Sequence, residues 1–369
     1  MAESRLFKPL KIGNIEVKHR IAMAPLTRLR NTSEYVPVPL MKEYYGQRAS
    51  VPGTLLISEG TFVSASSSGG FSNAPGIWSQ EQIAAWRTIT DEVHSKGSFI
   101  FNQIAGTGRQ VYSALDEAGL ANLVGPSAIP FAEGAPVPRP LTVEEIKEII
   151  QDFATAAKNA ISAGFDGIEL HAANGFLIDQ FIQDVSNQRD DAYGGSVENR
   201  SRFAYELMKA VADAIGPERV GIRLSPWSPA AGMKMADPIP QFTDVIRKAA
   251  QLNLAYIHMI ESRVVGPEDV VDESGLERLD FAYKAWNGPV LVAGGYTPAG
   301  ARKLVDEEYP DKDIVVVFGR HFIANPDLVY RIKEAIELNP YDRSTFYASS
   351  AEGYIDYPFS PQYLASQSA

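Results

Sequence analysis

Cysteine is absent from all 369 residues, which removes disulfides, thiolate metal sites and a cysteine nucleophile and fits a reducing compartment. Long basic runs are absent too. The 45 acidic residues outnumber the 34 basic ones and leave a formal net charge of −11, a balance that disfavours nucleic acid as a partner. No apolar run reaches membrane length, and Met1-Ala2-Glu3-Ser4-Arg5 lacks the apolar core of a signal peptide. The expectation is a cytoplasmic protein with no membrane partner. Histidine is scarce, with five in the chain.

What is present describes a globular protein with 45% hydrophobic and 21% charged residues. The length allows one large barrel or two ordinary domains. No linker or internal repeat forces a second domain, so residues 1–369 are expected to form one. Eight short apolar runs recur: Ile21 to Leu26, Thr54 to Gly60, Ser98 to Ile104, Phe165 to His171, Val220 to Pro226, Tyr256 to Glu261, Val290 to Gly294 and Ile314 to Gly319. Most do not alternate with polar residues, as suits parallel strands covered on both faces. Helical patterns lie between them, including Glu81 to Val93, Val143 to Ala163, Val197 to Ile215, Phe242 to Ala250, Ala299 to Glu307 and Leu328 to Leu338. Thr142, Ser196 and Thr297 stand where N-caps are wanted. The series predicts an α/β fold, a (β/α)8 TIM barrel, although a doubly wound sheet could carry the same alternation.

Two stretches depart from the repeat. Residues 6–20 alternate around Gly13-Asn14 and predict a hairpin closing the bottom of the barrel. The Gly-, Ala- and Pro-rich excursion from Ala105 to Leu141 is too long for an ordinary loop and is expected to shape a substrate pocket. The aromatic tail, with Tyr347, Tyr354, Tyr357 and Phe359, is expected to pack back onto the protein.

Barrel chemistry gathers at strand ends, and the fourth is the most informative. His171 ends an apolar run and Asn174 follows three residues later, ahead of an amphipathic segment, placing two neutral hydrogen-bond donors together. Gly294-Gly295 and Gly319-Arg320 follow runs seven and eight. Backbone N–H groups and a guanidinium there suit a phosphate-bearing ligand, although glycine at a strand end is commonly plain turn chemistry. His19, His94, His258 and His321 are read as structural or surface residues. No lysine ends a run, which disfavours Schiff-base chemistry. Glu59, Glu169 and Glu261 could bind a metal with His171, as in a barrel lyase, but inward carboxylates paired with Arg28 or Arg223 are the favoured reading. No metal is expected.

One set of motifs spans nearly the whole chain: Met23-Ala24-Pro25-Leu26-Thr27-Arg28, Ser58-Glu59-Gly60, Gln103 with Gly108-Arg109, His171-x-x-Asn174-Gly175, Gln188-Arg189-x-Asp191-x-Tyr193-Gly194-Gly195-Ser196-x-Glu198-Asn199-Arg200, and Phe318-Gly319-Arg320. This set resembles the Old Yellow Enzyme family of FMN-dependent ene-reductases. Glu43-Tyr44-Tyr45-Gly46-Gln47-Arg48 and the tail Glu352 to Phe359 resemble its fungal branch, which includes enzymes of chanoclavine-I aldehyde in ergot alkaloid biosynthesis. The resemblance implies a non-covalent FMN, lined by Pro25, Leu26 and Thr27, with Gly60 and Gln103 on its pyrimidine side and Arg223 at the N1–C2 edge. Gly294, Gly295, Gly319 and Arg320 would hold its phosphate. His171 and Asn174 would bind the carbonyl oxygen of an unsaturated aldehyde or enone, with NADPH as reductant. Tyr357 is assigned to the substrate site, and a homodimer is compatible with the chain.

Two departures modify that expectation. Alkene-reducing members generally carry tyrosine, as proton donor, where this chain has Phe176. The family's common tryptophan after strand three is Ala105, which is expected to leave room for a larger ligand. The implied outcome is E/Z isomerisation and cyclisation of a bulky aldehyde by reversible hydride transfer. Ordinary NADPH-dependent alkene reduction is the alternative, and a non-catalytic flavoprotein is the reading from another class.

Overall fold

The computed structural model describes residues 4–111, 123–262 and 277–367, with the backbone of 264–265 and 268–269. Eight parallel strands close into a barrel: Ile21–Met23, Leu55–Ile57, Phe99–Ala105, Gly167–Ala172, Val220–Leu224, Tyr256–Ile260, Val290–Ala293 and Ile314–Phe318. Each pairs with the next, and the first pairs with the eighth through Ile21↔Val316 and Met23↔Phe318. All eight predicted runs are strands, and closure excludes the doubly wound alternative. Side chains alternate between two buried surroundings. Ile168, Leu170, Ile222 and Val292 join the layer that includes helix residues such as Phe153 and Phe203, while Phe101, Tyr256, Leu291 and Val315 cluster separately, in the barrel interior.

The hairpin forms as expected, Leu10–Ile12 pairing antiparallel with Ile15–Val17. Its Leu10, Ile12, Ile15 and Val17 join the interior cluster and plug the barrel bottom. Gly13 turns at φ +54°, where a Cβ would lie 1.9 Å from the Glu218 carbonyl oxygen, so only glycine fits.

Helices fill the intervals. Val143–Ser162 opens on a capping box between Thr142 and Glu145, and it buries Ile146, Ile150, Phe153, Ala157 and Ala160 on one stripe. Three helices differ from the sequence pattern. Val197 to Ile215 is two helices, Val197–Arg200 and Arg202–Ile215, and Gln241 donates to Val197 O and Ser201 Oγ at their junction. Pro298–Lys303 widens into a π turn over Leu304–Glu308. Leu328–Lys333 stops short of Leu338 because Ala335 turns left-handed at φ +54°.

The tail does pack back. Buried Tyr354 stacks on Tyr44 with centroids 4.0 Å apart, and Arg28 donates to Phe346 O and Gly353 O. Arg30 also reaches Phe346 O, so two buried arginines fix the tail beside the ends of the strands.

Candidate active site

A cavity of about 870 Å³ opens at the C-terminal ends of the strands. Its wall includes every residue assigned to FMN from sequence: Pro25, Leu26, Thr27, Gly60, Gln103, Arg223, Gly294, Gly295, Gly319 and Arg320. His171, Asn174 and Phe176 line the same space. A flat, polar-edged ligand with an anionic tail fits this wall. Small residues cluster at the ends of strands seven and eight beside Arg320, and Gly60 stands against Gln103, whose Oε1 would lie 3.6 Å from a Cβ there. Two buried polar atoms at the wall, His171 Nδ1 and Arg223 Nε, have no hydrogen-bond partner. Atoms of this kind in a cavity wall are ones that a bound ligand or water can satisfy.

The fourth strand brings His171 level with Arg223 on the fifth, which is in turn level with His258 on the sixth. Burial, reinforced by Arg223 and His258, holds the His171 pKa well below its ordinary value, so the imidazole is neutral at pH 7 and still carries one N–H donor. Asn174 turns at φ +55°, a conformation that asparagine tolerates. That turn is held from three sides. Asn174 N donates to Ser225 Oγ at 2.8 Å, Gln110 Nε2 donates to Asn174 O at 2.9 Å, and Gly175 N donates to Asp179 Oδ2 at 2.9 Å. Phe176 caps the short helix Leu177–Ile182 and turns its ring onto His171.

Two sequence assignments are corrected. Tyr357 does not line the cavity; its hydroxyl accepts from Asp342 N at 3.0 Å, and the tail aromatics that reach the wall are Phe346 and Tyr347. Ala105 is fully buried behind the wall, clustered with Phe62 and Ala74 and packed by Phe71, Trp78 and Phe176. The space expected beside it is filled by these rings, of which Phe62, Phe71 and Phe176 form the wall itself. His321, read as structural or surface, lines the cavity beside Arg320. His258 is buried against Glu169, His19 is buried near Thr54, and His94 pairs with Asp166.

The carboxylates do not converge as a metal site would. Glu59 accepts from Tyr45, Glu261 from Tyr296, and Glu169 from Gln103, Tyr256 and His258. Among the described residues no group of three His, Asp or Glu side chains could hold a metal ion. Glu59 is wholly buried, and burial pushes its carboxyl up to about 7 against the opposing pull of Arg28 and Arg30.

Sequence reasoning missed Leu29, Phe62, Phe71, Gln110, Tyr296 and Tyr341 in the wall. Tyr296 was within reach, because it directly follows Gly294-Gly295. Phe62 comes from the short strand Thr61–Phe62, and the rest come from loops whose return to the barrel mouth leaves no local pattern. Of the described residues in the excursion after strand three, Gln110 alone lines the cavity; residues 112–122 lie outside the described residues. No helix among the described residues is long and apolar enough to cross a membrane.

Known proteins agree with this arrangement. The chain is 51% identical over 364 residues, 98% of both chains, to the chanoclavine-I aldehyde reductase fgaOx3 of Penicillium roqueforti. It is 49% identical over 372 residues, 99% of this chain and 97% of the relative, to a protein of Epichloe festucae var. lolii named probable inactive reductase easA. Among solved structures it resembles the Old Yellow Enzyme homologue of Zymomonas mobilis, with a TM-score of 0.87, 38% identity and coverage of 96% of this chain and 99% of that one. The profile of the NADH:flavin oxidoreductase / NADH oxidase family matches residues 5–339. The chain belongs to that family and is an FMN-dependent oxidoreductase of the Old Yellow Enzyme type.

Proposed function

We propose that the protein isomerises a bulky α,β-unsaturated aldehyde, with chanoclavine-I aldehyde the best-supported substrate, and that it uses NADPH to prime the flavin rather than as a stoichiometric reductant. Pro25, Leu26 and Thr27 would line the FMN ring, Gly60, Gln103 and Arg223 its pyrimidine side, and Gly294, Gly295, Gly319 and Arg320 its phosphate. When bound and reduced, FMN would supply a hydride to the substrate β-carbon and, once oxidised, take it back after the enolate has rotated, which restores the double bond as its geometric isomer. His171 and Asn174 grip the carbonyl oxygen and stabilise the negative charge that develops there. Neutral His171 suits this role, since it donates a hydrogen bond without an ionised partner to desolvate.

The observation that carries the reading is Phe176. Its phenyl ring packs on His171, beside the position held by the substrate carbonyl, and offers no proton to the α-carbon. An enolate held by His171 and Asn174 without a side-chain acid lives long enough for its former double bond to rotate. The geometric isomer so formed brings a substrate amine within reach of the aldehyde, and cyclisation to an iminium releases water. The cavity of about 870 Å³ is shared by the FMN and the substrate, and the 51% identical relative supports the aldehyde chemistry.

That relative is named a reductase, which favours net alkene reduction as a second reading. Stoichiometry separates the two. Isomerisation predicts far less than one NADPH consumed per aldehyde converted, with NMR of the product retaining the alkene. One NADPH per turnover and a saturated product would establish the second reading instead.

A further inference from the structure

Beneath the cavity one carboxylate organises the groups around it. Glu169, on the fourth strand, is wholly buried and accepts three hydrogen bonds: from Gln103 Nε2 at 2.7 Å, His258 Nδ1 at 2.8 Å and the Tyr256 hydroxyl at 3.1 Å. The register makes this convergence possible. Gln103 on the third strand is level with Glu169, and Glu169 is level with Gly221, which is level with Tyr256. A Cβ at Gly221 would lie 2.2 Å from the Tyr256 ring, so glycine there lets the tyrosine cross to Glu169.

Two consequences reach the cavity. Because Gln103 gives its amide N–H to Glu169, its Oε1 is the end turned towards Gly60, 3.6 Å from where a Cβ on that glycine would sit. Gln103 therefore meets a ligand as an acceptor. Glu169 also faces the charge of Arg223, two residues along the neighbouring strand from its own level. His258 and then Arg223 favour the carboxylate of wholly buried Glu169, and Glu169 in turn favours the cation of Arg223, which is half-buried at the cavity wall. Removing one partner of a buried pair leaves an uncompensated charge.

We propose that Glu169 is a positioning residue that fixes Gln103 as an acceptor and offsets the Arg223 charge, and so holds the reduction potential of bound FMN below the value Arg223 alone would give. This rests on the flavin placement proposed above, with its pyrimidine edge against Gln103 and Arg223. Glu169→Gln removes the negative charge. Its amide offers one accepting oxygen where the carboxylate offers two, so the hold of this position on Gln103, Tyr256 and His258 is weakened.

The test is the midpoint potential of the purified holoenzyme in four forms. Arg223→Gln should shift it negative, because a cation near the reduced, anionic ring is lost. Glu169→Gln should shift it positive by at least tenfold in the reduction equilibrium, about 30 mV for a two-electron couple. Tyr256→Phe, which removes a donor but no charge, should stay within threefold of the parent. The Glu169→Gln/Arg223→Gln pair should lie between the two single variants. If Arg223→Gln leaves the potential unchanged, the flavin placement is wrong and the inference falls with it. If Arg223→Gln behaves as expected but Glu169→Gln does not move the potential, or moves it negative, Glu169 has no such role. A shift in Tyr256→Phe as large as that in Glu169→Gln also overturns it, since packing would then be the cause. Should Glu169→Gln fail to hold FMN, the double variant decides. Recovery of folded, FMN-loaded protein identifies Glu169 as the counter-charge of Arg223, and failure of both variants overturns the proposal.

Discussion

The Phe176 ring lies on the His171 imidazole, centroids 4.2 Å apart and planes 25° from parallel. The pair joins the group proposed to hold the substrate oxygen to a side chain with no acidic hydrogen. Both line the cavity, and Phe176 is half-buried, so its para position is a wall rather than sealed core.

Phe176→Tyr should convert isomerisation into net reduction. A phenol there would protonate the enolate before the alkene is restored, an effect typically worth ~10²–10⁴-fold for general acid catalysis. NADPH consumption per aldehyde should rise towards one equivalent, and the product should lose its alkene. An unchanged NADPH-to-product ratio would remove residue 176 from the explanation.

His171→Ala combined with Asn174→Ala should leave FMN bound but abolish the long-wavelength band that phenols give when they stack on oxidised flavin. Both residues reach the cavity, while the backbone of residue 174 remains anchored through Ser225 and Gln110. Titration with a para-substituted phenol reads the effect directly. A phenol that binds the double variant with the parent's spectrum would place the carbonyl site elsewhere.

Acid stability should depend on His19, which lies far from the chemistry. His19 Nε2 bonds Thr54 Oγ1 at 3.0 Å, Ile21 N donates to its Nδ1, and burial lowers its pKa from 6.5 to about 4. The folded-state value is depressed, so as pH falls below 6.5 the unfolded chain takes up a proton that the folded protein refuses until about 4. Stability present above 6.5 is thus lost through that window, by ~3 kcal/mol in full. Urea unfolding between pH 7.5 and 4 should show a steeper loss in the parent than in His19→Gln. Parallel pH profiles for the two proteins would sink this account.

Much of the fold was legible because burial on both faces leaves a local mark. The run from Phe165 to His171 reads as a strand by itself, and Thr142 ahead of Val-Glu-Glu reads as a cap. The site was legible for a related reason: barrel strands end at one face, so His171, Arg223 and Gly319-Arg320 are neighbours once the barrel is granted. Ala105 and Tyr357 were misplaced because neither position has a local rule. Whether a small residue opens a cavity depends on which rings fill the gap, and whether a tail aromatic reaches the mouth depends on where Arg28 and Arg30 hold the tail.

The eight strand-helix units, the bottom hairpin, the family and the lack of a protic group at residue 176 are legible along the chain. Those follow from periodicity, turn chemistry and residue identity, all of which are local. Folding is what stacks Phe176 on His171, sets Phe62 and Phe71 beside Ala105, and brings Gln103, Tyr256 and His258 together on Glu169. The His171–Phe176 stack depends on the left-handed turn at Asn174 between them, whereas the contacts on Glu169 join residues 66 to 89 positions apart and arise from strand register and barrel closure, which no single stretch of the chain encodes.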